Sequence, residues 1–193
     1  MDTRDDRQLV LECRKGEEYA YRVLLSRYEG YIYSLSFRLT GRREDALELA
    51  QEAMVNIIVG LDSYQINLPL KPWLRRVVIN TGINFLRRRS PDLLSLDQDI
   101  ADGLTLGDSL AAGNSGNPQM WVEWMETKKA LEKAMRELPP EYRLVLTLRH
   151  QEDMSYKEIA DSIGIPVGTV KTYLFRARSK LRVMMKDVYG WEA

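Results

Sequence analysis

A run of basic and hydroxyl side chains near the C-terminal end of the chain has the types and the spacing needed to bind DNA. Between residues 164 and 186 there are six lysines and arginines and no acidic residue. On a helix from Pro166 to Lys186, at about 100° per residue, apolar residues form one stripe and polar residues lie opposite. The predicted stripe is Val170, Leu174, Ala177, Leu181 and Met184. The candidate DNA contacts are Thr169, Lys171, Thr172, Tyr173, Arg176, Arg178 and Lys180.

The residues before this helix predict a helix-turn-helix. Ser155 and Glu158 have the spacing of a capping box, in which side chains satisfy free amides of the first turn. Gly164 suits the end of that short helix, and residues 165–167 turn the chain into the next one. The first turns of the second helix in such a motif reach base edges, whereas cations on its flanks hold phosphates. The base-reading candidates are Thr169, Thr172, Tyr173 and Arg176, and the phosphate candidates are Lys171, Arg178, Lys180 and Arg182. The alternative is a solvated basic face on a structural helix.

A second basic stretch lies between residues 63 and 90, with six lysines and arginines and no acidic residue. A helix from Leu70 to Arg89 would bury more than half of its circumference and leave one narrow strip exposed. The strip consists of Trp73, Arg76, Asn80, Asn84 and Arg87, with Arg88 beside it. An aromatic ring, amides and guanidinium groups suit stacking on exposed bases and hydrogen bonding to them. A core tryptophan and solvated asparagines are the structural alternative.

Charge is distributed unevenly along a chain whose net charge is zero, with 28 basic and 28 acidic residues. Residues 91–122 contain five aspartates and no lysine or arginine, and they separate the two basic stretches. The single Cys13 and the single His150 offer no internal disulfide, no multi-histidine metal site and no catalytic constellation. We therefore expect no catalytic residue, no metal and no cofactor. With no apolar run long enough to span a membrane and a charged N-terminus, we expect a cytoplasmic protein.

Helical spacing predicts an all-α chain of two small helical domains joined by a flexible linker. The predicted domains are residues 1–90 and 123–193, with an acidic linker at 91–122. The predicted helices are Asp5 to Arg14, Glu17 to Leu39, Arg42 to Leu61, Leu70 to Arg89, Pro118 to Leu138, Pro140 to His150, Ser155 to Gly164, and Pro166 towards Val188.

The predicted helix from Arg42 to Leu61 has an acidic face that phosphates would repel. Its expected buried residues are Ala46, Ala50, Ala53, Met54, Ile57, Ile58 and Leu61. Its expected exposed residues are Asp45, Glu48, Gln51, Glu52 and Asn56. This face therefore either solvates the domain or meets a basic protein partner.

Three segments, in order, resemble the extracytoplasmic-function sigma factors of the sigma-70 family. The segment Asp45-Ala-Leu-Glu-Leu-Ala-Gln-Glu52 is similar to the family's region 2.2. The segments Trp73-Leu-Arg-Arg-Val-Val-Ile-Asn80 and Phe85-Leu-Arg-Arg-Arg89 resemble regions 2.3 and 2.4. The segments Leu138-Pro-Pro-Glu-Tyr-Arg143, Ser155-Tyr-Lys-Glu-Ile-Ala160, Gly168-Thr-Val-Lys171 and Arg176-Ala-Arg178 resemble region 4. The two predicted domains then correspond to a region 2 helical bundle and a region 4 helix-turn-helix.

The resemblance implies a transcription initiation factor that binds core RNA polymerase and opens promoter DNA. It assigns Asp45, Glu48, Leu49, Gln51 and Glu52 to the clamp helices of the polymerase β′ subunit. It assigns the helix from Trp73 to Arg89, with the loop around 63–69, to the minus-ten element, and region 4 to the minus-thirty-five element and the β flap. An anti-sigma protein is a further expected partner.

Two departures from the family pattern bear on the promoter sequence: Asn84 stands where the family usually has Asp, and Tyr173 stands where it often has Arg. An arginine can contact guanine with two hydrogen bonds, and a tyrosine cannot. The main alternative function is a stand-alone regulator of the LuxR type, with an unrelated helical sensor domain. That alternative accounts only for the C-terminal segment.

Overall fold

The computed structural model describes residues 4–89 and 118–189, with side chains for residues 4–89 and 125–186. Within these ranges every regular element is helical. The predicted acidic linker lies almost wholly outside the described residues, and its predicted end at residue 122 falls within the first helix that follows it.

Four helices build the first domain. They are α1 (Asp6–Arg14), α2 (Glu18–Thr40), α3 (Arg43–Gly60) and α4 (Leu70–Arg89), with a 3-10 turn at Leu61–Ser63 between α3 and α4. Asp5 and Gln8 form a capping box at the start of α1, and Gly41 ends α2 in the left-handed conformation that glycine adopts without strain. Local capping chemistry therefore sets the boundaries that the sequence predicts.

The core of the first domain lies between α2, α3 and α4. Leu35, Leu39, Leu74 and Phe85 are among its fully buried side chains. A Cβ atom on Gly82 would lie 2.7 Å from Cδ1 of Leu39, so the glycine lets α4 approach α2 closely.

One burial prediction in this domain is wrong. Ile58 is 38 % exposed, because α3 packs through Ala46, Ala50, Ala53 and Ile57, and Ile58 lies on the flank of that stripe.

The second domain consists of α5 (Pro118–Glu137), α6 (Pro140–Leu146), α7 (Tyr156–Ile163) and α8 (Val167–Tyr189). The predicted helix from Pro140 to about His150 is helical throughout, but its last part, Thr147–Gln151, is a π-helical turn rather than α-helix. Ser155 and Glu158 form the predicted capping box of α7, and Gly164 ends α7 with φ +74°. The turn from α7 into α8 is thus the predicted helix-turn-helix.

Candidate nucleic-acid interface

The buried face of α8 holds the second helix of the helix-turn-helix in place. Val170, Leu174 and Ala177 are fully buried, as the helical spacing predicts. Further along, Met185 is buried and Met184 only half-buried. The opposite side of α8 is therefore fixed in orientation by its core contacts.

That opposite side carries the predicted DNA contacts. Lys171 and Lys180 are exposed, and Thr169, Thr172, Arg176 and Arg178 are half-buried. The hydroxyl of Thr172 donates to the carbonyl of Gly168 at 3.1 Å, which leaves its oxygen lone pairs as acceptors. Arg178 lies 3.3 Å from Nε2 of His150, so the π-helical turn borders this surface.

Tyr173 is the candidate that the fold constrains most. Its ring packs edge-on against Tyr142 of α6, with centroids 5.8 Å apart. Burial, reinforced by Glu141 nearby, raises the pKa of the Tyr173 hydroxyl. A half-buried tyrosine in this position can offer a neutral hydroxyl at the edge of the surface, but not the two-pronged contact of an arginine.

The exposed strip of α4 has the predicted composition. Arg76, Asn80, Asn84, Arg87 and Arg88 are all exposed. All other sides of the helix are largely buried, with Leu74, Val78, Ile83 and Phe85 in the core. Every exposed side chain of the strip can donate hydrogen bonds to phosphates or base edges.

The loop between α3 and α4 is fastened to the strip through aromatic rings. The rings of Tyr64 and Trp73 lie 5.3 Å apart at 51°. A Cβ on Gly60 would lie 3.3 Å from the indole of Trp73, and the Tyr64 hydroxyl donates to the carbonyl of Leu68. Trp73 is half-buried rather than enclosed in the core.

Arg14 of α1 binds the backbone at the start of the same loop, a contact that the sequence did not predict. Its guanidinium donates to the carbonyl of Leu61 at 3.2 Å (Nε) and 3.0 Å (Nη2), and to that of Asp62 at 3.1 Å (Nη2). It also donates to the carbonyl of Tyr64. No local pattern signals this contact, because 47 to 50 residues separate the partners.

The acidic face of α3 meets arginines at the end of α4. Arg88 pairs with Glu52 at 2.6 Å, and Arg89 pairs with Glu48 at 2.5 Å and also with Asp45. The sequence predicted either solvent or a foreign basic partner for this face. In the folded chain, Arg88 and Arg89 at the end of α4 pair with three carboxylates of this face.

Of the five predicted polymerase contacts, four lie at the surface and one does not. Asp45 and Glu52 are half-buried, and Glu48 and Gln51 are exposed. Leu49 is fully buried in the core beside Gly82, so its side chain packs α3 against α4 and does not reach the surface. Exposed apolar residues continue the face along α3, with Leu47 at 47 %, Val55 at 58 % and Val59 at 76 %.

Comparison with known proteins identifies both domains. Residues 24–91 match the family "Sigma-70 region 2" and residues 128–181 match "Sigma-70, region 4". The chain is 33 % identical over 181 residues to the ECF RNA polymerase sigma factor SigW of Bacillus subtilis (strain 168), covering 93 % of this chain and 96 % of that protein. It is 31 % identical over 178 residues to the ECF RNA polymerase sigma-E factor of Escherichia coli (strain K12), covering 91 % and 92 %.

A solved structure shares the fold. The sigma factor RpoE of Bartonella quintana, crystallised with the anti-sigma factor NepR, is similar with a TM-score of 0.51 at 21 % identity, covering 86 % of this chain and 96 % of that one. Among the helices that the structure describes, none is both long and apolar enough to cross a membrane. The two matched regions, in this order and over most of the chain, show that it belongs to the extracytoplasmic-function sigma factors of the sigma-70 family.

Proposed function

We propose that this sigma factor directs core RNA polymerase to promoters in the cytoplasm by gripping DNA at two points. The strip on α4 takes the opened minus-ten element, and the exposed side of α8 takes the duplex minus-thirty-five element. The observation that carries the proposal is the strip on α4. The open side of this otherwise largely buried helix presents arginine and asparagine side chains, each of which can donate hydrogen bonds, beside a half-buried tryptophan.

The strip suits single-stranded DNA better than duplex. Taking a base out of the stack costs a few kcal/mol. Stacking on an aromatic ring returns about 1 to 3 kcal/mol per base, and cations along the backbone return more. Trp73, Asn80 and Arg76 supply the ring, the amide and the cation. The loop held by Arg14 and Tyr64 borders this site and can close over a displaced base.

The exposed side of α8 suits the major groove. Thr172 lies in the second turn of α8 and Arg176 in the third, and the N-terminal part of a recognition helix reaches base edges. Lys171 and Lys180 are exposed cations on the flanks that suit phosphates. Tyr173 contributes contact area at one edge, and its packing on Tyr142 fixes the direction of its hydroxyl.

The face of α3 is the proposed contact with polymerase. Glu48 and Gln51 present polar groups, while Val55 and Val59 present apolar area at helical spacing. Exposed apolar side chains bordered by polar ones are typical of a protein interaction site. Basic groups of the clamp helices would replace Arg88 and Arg89 as partners of the carboxylates, and the arginines would then be available to DNA.

An anti-sigma protein is the proposed inhibitor. The Bartonella quintana relative of similar fold was crystallised with one. Such a partner would cover the face of α3, because the same apolar residues would attract it.

Reconstitution tests the proposal. The chain is added to core polymerase on fragmented genomic DNA, and the transcript 5′ ends are sequenced. We expect starts that share two upstream sequence elements and that disappear when the chain is omitted. A LuxR-type regulator would instead bind duplex DNA tightly by itself and give no promoter-specific initiation with core polymerase.

A further inference from the structure

We propose that Tyr142, in the first turn of α6, is a positioning residue for promoter recognition. Its ring holds the side chain of Tyr173 so that the Tyr173 hydroxyl reads one base pair of the minus-thirty-five element. Selectivity at that base pair then depends on an aromatic contact between two helices, made by a residue that itself touches no DNA. This inference rests on the proposed contact between α8 and the minus-thirty-five element.

Tyr173 lies on the side of α8 where the core of the domain meets its open surface. The full burial of Leu174 and Ala177 fixes the rotation of α8 about its own axis. Residues three and four apart lie on the same side of a helix, so Thr169, Tyr173 and Arg176 form one strip. All three side chains are half-buried. The strip therefore runs along the border of the surface that would face DNA.

Tyr142 meets Tyr173 between α6 and α8. The two ring centroids lie 5.8 Å apart, and the ring planes are inclined at 66°. Aromatic rings prefer such an edge-on arrangement, because the positive edge of one ring then faces the negative face of the other. Both rings are half-buried, so the pair lies at the rim of the domain rather than within its core. The free energy of such a pair corresponds to about a two- to tenfold preference for one orientation of the ring.

The start of α6 gives Tyr142 a rigid base. Pro139 and Pro140 begin the helix, and the proline ring restricts the backbone there. The backbone N–H of Tyr142 donates to the carbonyl of Pro139 at 3.1 Å. The next residue, Arg143, is 6 % exposed and donates to the carbonyl of Leu138 at 3.3 Å. Because its backbone is held on both sides, Tyr142 presents a fixed surface against which Tyr173 packs.

The Tyr173 hydroxyl is in a form that suits a base edge. Burial, reinforced by Glu141, raises the pKa of this hydroxyl, which keeps it neutral at physiological pH. A neutral hydroxyl donates one hydrogen bond and accepts others, so it can pair with a donor or an acceptor in the major groove. Within the part of the chain that the structure describes, no group is hydrogen-bonded to it. Because a single hydroxyl makes a directional contact, its selectivity depends on how the ring is held.

Two substitutions of Tyr142 separate its ring from its hydroxyl. Tyr142→Leu keeps apolar bulk but removes the ring, whereas Tyr142→Phe keeps the ring and removes only the hydroxyl. Tyr142→Met, which also lacks a ring, replaces the leucine variant if that chain does not fold. Tyr173→Phe removes the reading group and identifies the base pair that it reads. The matched control is Tyr156→Leu, because Tyr156 is a half-buried tyrosine of the same domain whose ring instead lies 5.2 Å from the guanidinium carbon of Arg149.

Fluorine NMR of the full free chain, with 3-fluorotyrosine in place of tyrosine at position 173, measures the orientation of the ring without DNA. The chemical shift of the fluorine depends on the neighbouring ring of Tyr142. We expect Tyr142→Phe to keep the wild-type shift and Tyr142→Leu to move it towards that of free 3-fluorotyrosine. An unchanged shift in a folded Tyr142→Leu chain overturns the positioning role.

Competition binding of reconstituted holoenzyme measures the selectivity, with promoter duplexes that each carry one substituted minus-thirty-five base pair. We expect Tyr173→Phe to lower discrimination about tenfold at one base pair, because one hydrogen bond to a base is lost. Tyr142→Leu should lower discrimination about fivefold at the same base pair. Tyr142→Phe and Tyr156→Leu should stay within about twofold of the wild type at every base pair. The double variant of Tyr142→Leu and Tyr173→Phe should lose no more than Tyr173→Phe alone.

Wild-type selectivity of Tyr173→Phe overturns the inference. So does a Tyr142→Leu chain that keeps the preference or loses discrimination equally at all base pairs. A Tyr142→Phe chain that loses as much as Tyr142→Leu also overturns it, because the Tyr142 hydroxyl would then be the contact. In each of these cases the wild-type chain still initiates at promoters. A wild-type chain that gives no promoter-specific initiation with core polymerase overturns the proposed function, and this inference with it.

Discussion

Arg14→Ala should impair promoter opening while leaving the duplex contact intact. Arg14 reaches three carbonyls between Leu61 and Tyr64, where α3 ends and the loop towards α4 begins. Hydrogen bonds from a charged donor contribute about 1.5 to 3 kcal/mol each, and partial exposure and geometry reduce their sum. We expect Arg14→Ala to lower the free energy of unfolding by about 2 to 3 kcal/mol.

The same hydrogen bonds from Arg14 also stabilise the closed position of the loop over a displaced base. If half is lost at that step, the equilibrium for opening falls about tenfold, since 1.4 kcal/mol corresponds to a factor of ten. Arg14→Lys should recover only part of the loss, because a compact ammonium cannot bridge carbonyls as a planar guanidinium does. Arg22→Ala is the matched control: its ion pair with Glu18 is largely exposed and contributes about 0.5 kcal/mol or less.

The assay is 2-aminopurine fluorescence from the minus-ten element, with reconstituted holoenzyme on a promoter found by transcript sequencing. Binding to core polymerase and to a duplex minus-thirty-five fragment is measured in parallel. We expect Arg14→Ala to reduce the opening signal while both binding constants stay near the wild type. Wild-type opening by a folded Arg14→Ala chain would refute a positioning role for Arg14.

Three further predictions concern the two domains. Arg176→Ala should lose selectivity for the minus-thirty-five sequence, whereas Lys180→Ala should weaken binding to all sequences and flatten the salt dependence of binding. Competition binding at several salt concentrations separates the two effects. Equal loss of selectivity in both variants would contradict the assigned faces. Ser155→Ala should lower the free energy of unfolding of the second domain by about 0.5 to 2 kcal/mol, measured by urea unfolding, because the cap of α7 is lost. Hydrogen bonds from Ser155 hold the pKa of Glu158 below its ordinary value. The stabilisation from that carboxylate is therefore present above the ordinary pKa and is lost as the pH falls below it. Leu49→Ala should lower the free energy of unfolding by about 2 to 5 kcal/mol, because Leu49 is fully buried. Gln51 is exposed, so Gln51→Ala should change the free energy of unfolding by no more than about 0.5 kcal/mol and should weaken polymerase binding instead. A destabilised Gln51→Ala chain would contradict the placement of the two residues.

Local chemistry explains why the helices and the helix-turn-helix are predictable from the sequence. The capping boxes at Asp5 and Ser155 and the left-handed Gly41 and Gly164 act over a few residues, and each stands where a predicted helix begins or ends. The strip on α4 is predictable for a similar reason, because 3.6-residue periodicity separates its polar side from the core.

Contacts between residues distant in the sequence explain what was missed. Arg14 finds its carbonyls 47 or more residues away, and Glu152 finds Arg38 across 114 residues. On α3, periodicity misplaced one residue, and the family motif named another that lies in the core. Leu49 was assigned to a partner through the family motif but packs against Gly82, and Ile58 was expected in the core but lies on its flank. Burial at such positions depends on which neighbouring helix approaches, and spacing along one helix does not determine that.

The most direct test of the two-point grip is the pattern of strand opening by holoenzyme on one promoter. Permanganate reactivity and DNase protection are measured with wild-type chain, Asn80→Ala and Arg176→Ala. We predict that Asn80→Ala keeps upstream protection and loses thymine reactivity at minus ten, whereas Arg176→Ala loses the upstream protection. Unchanged thymine reactivity with Asn80→Ala, or unchanged upstream protection with Arg176→Ala, would contradict the grip.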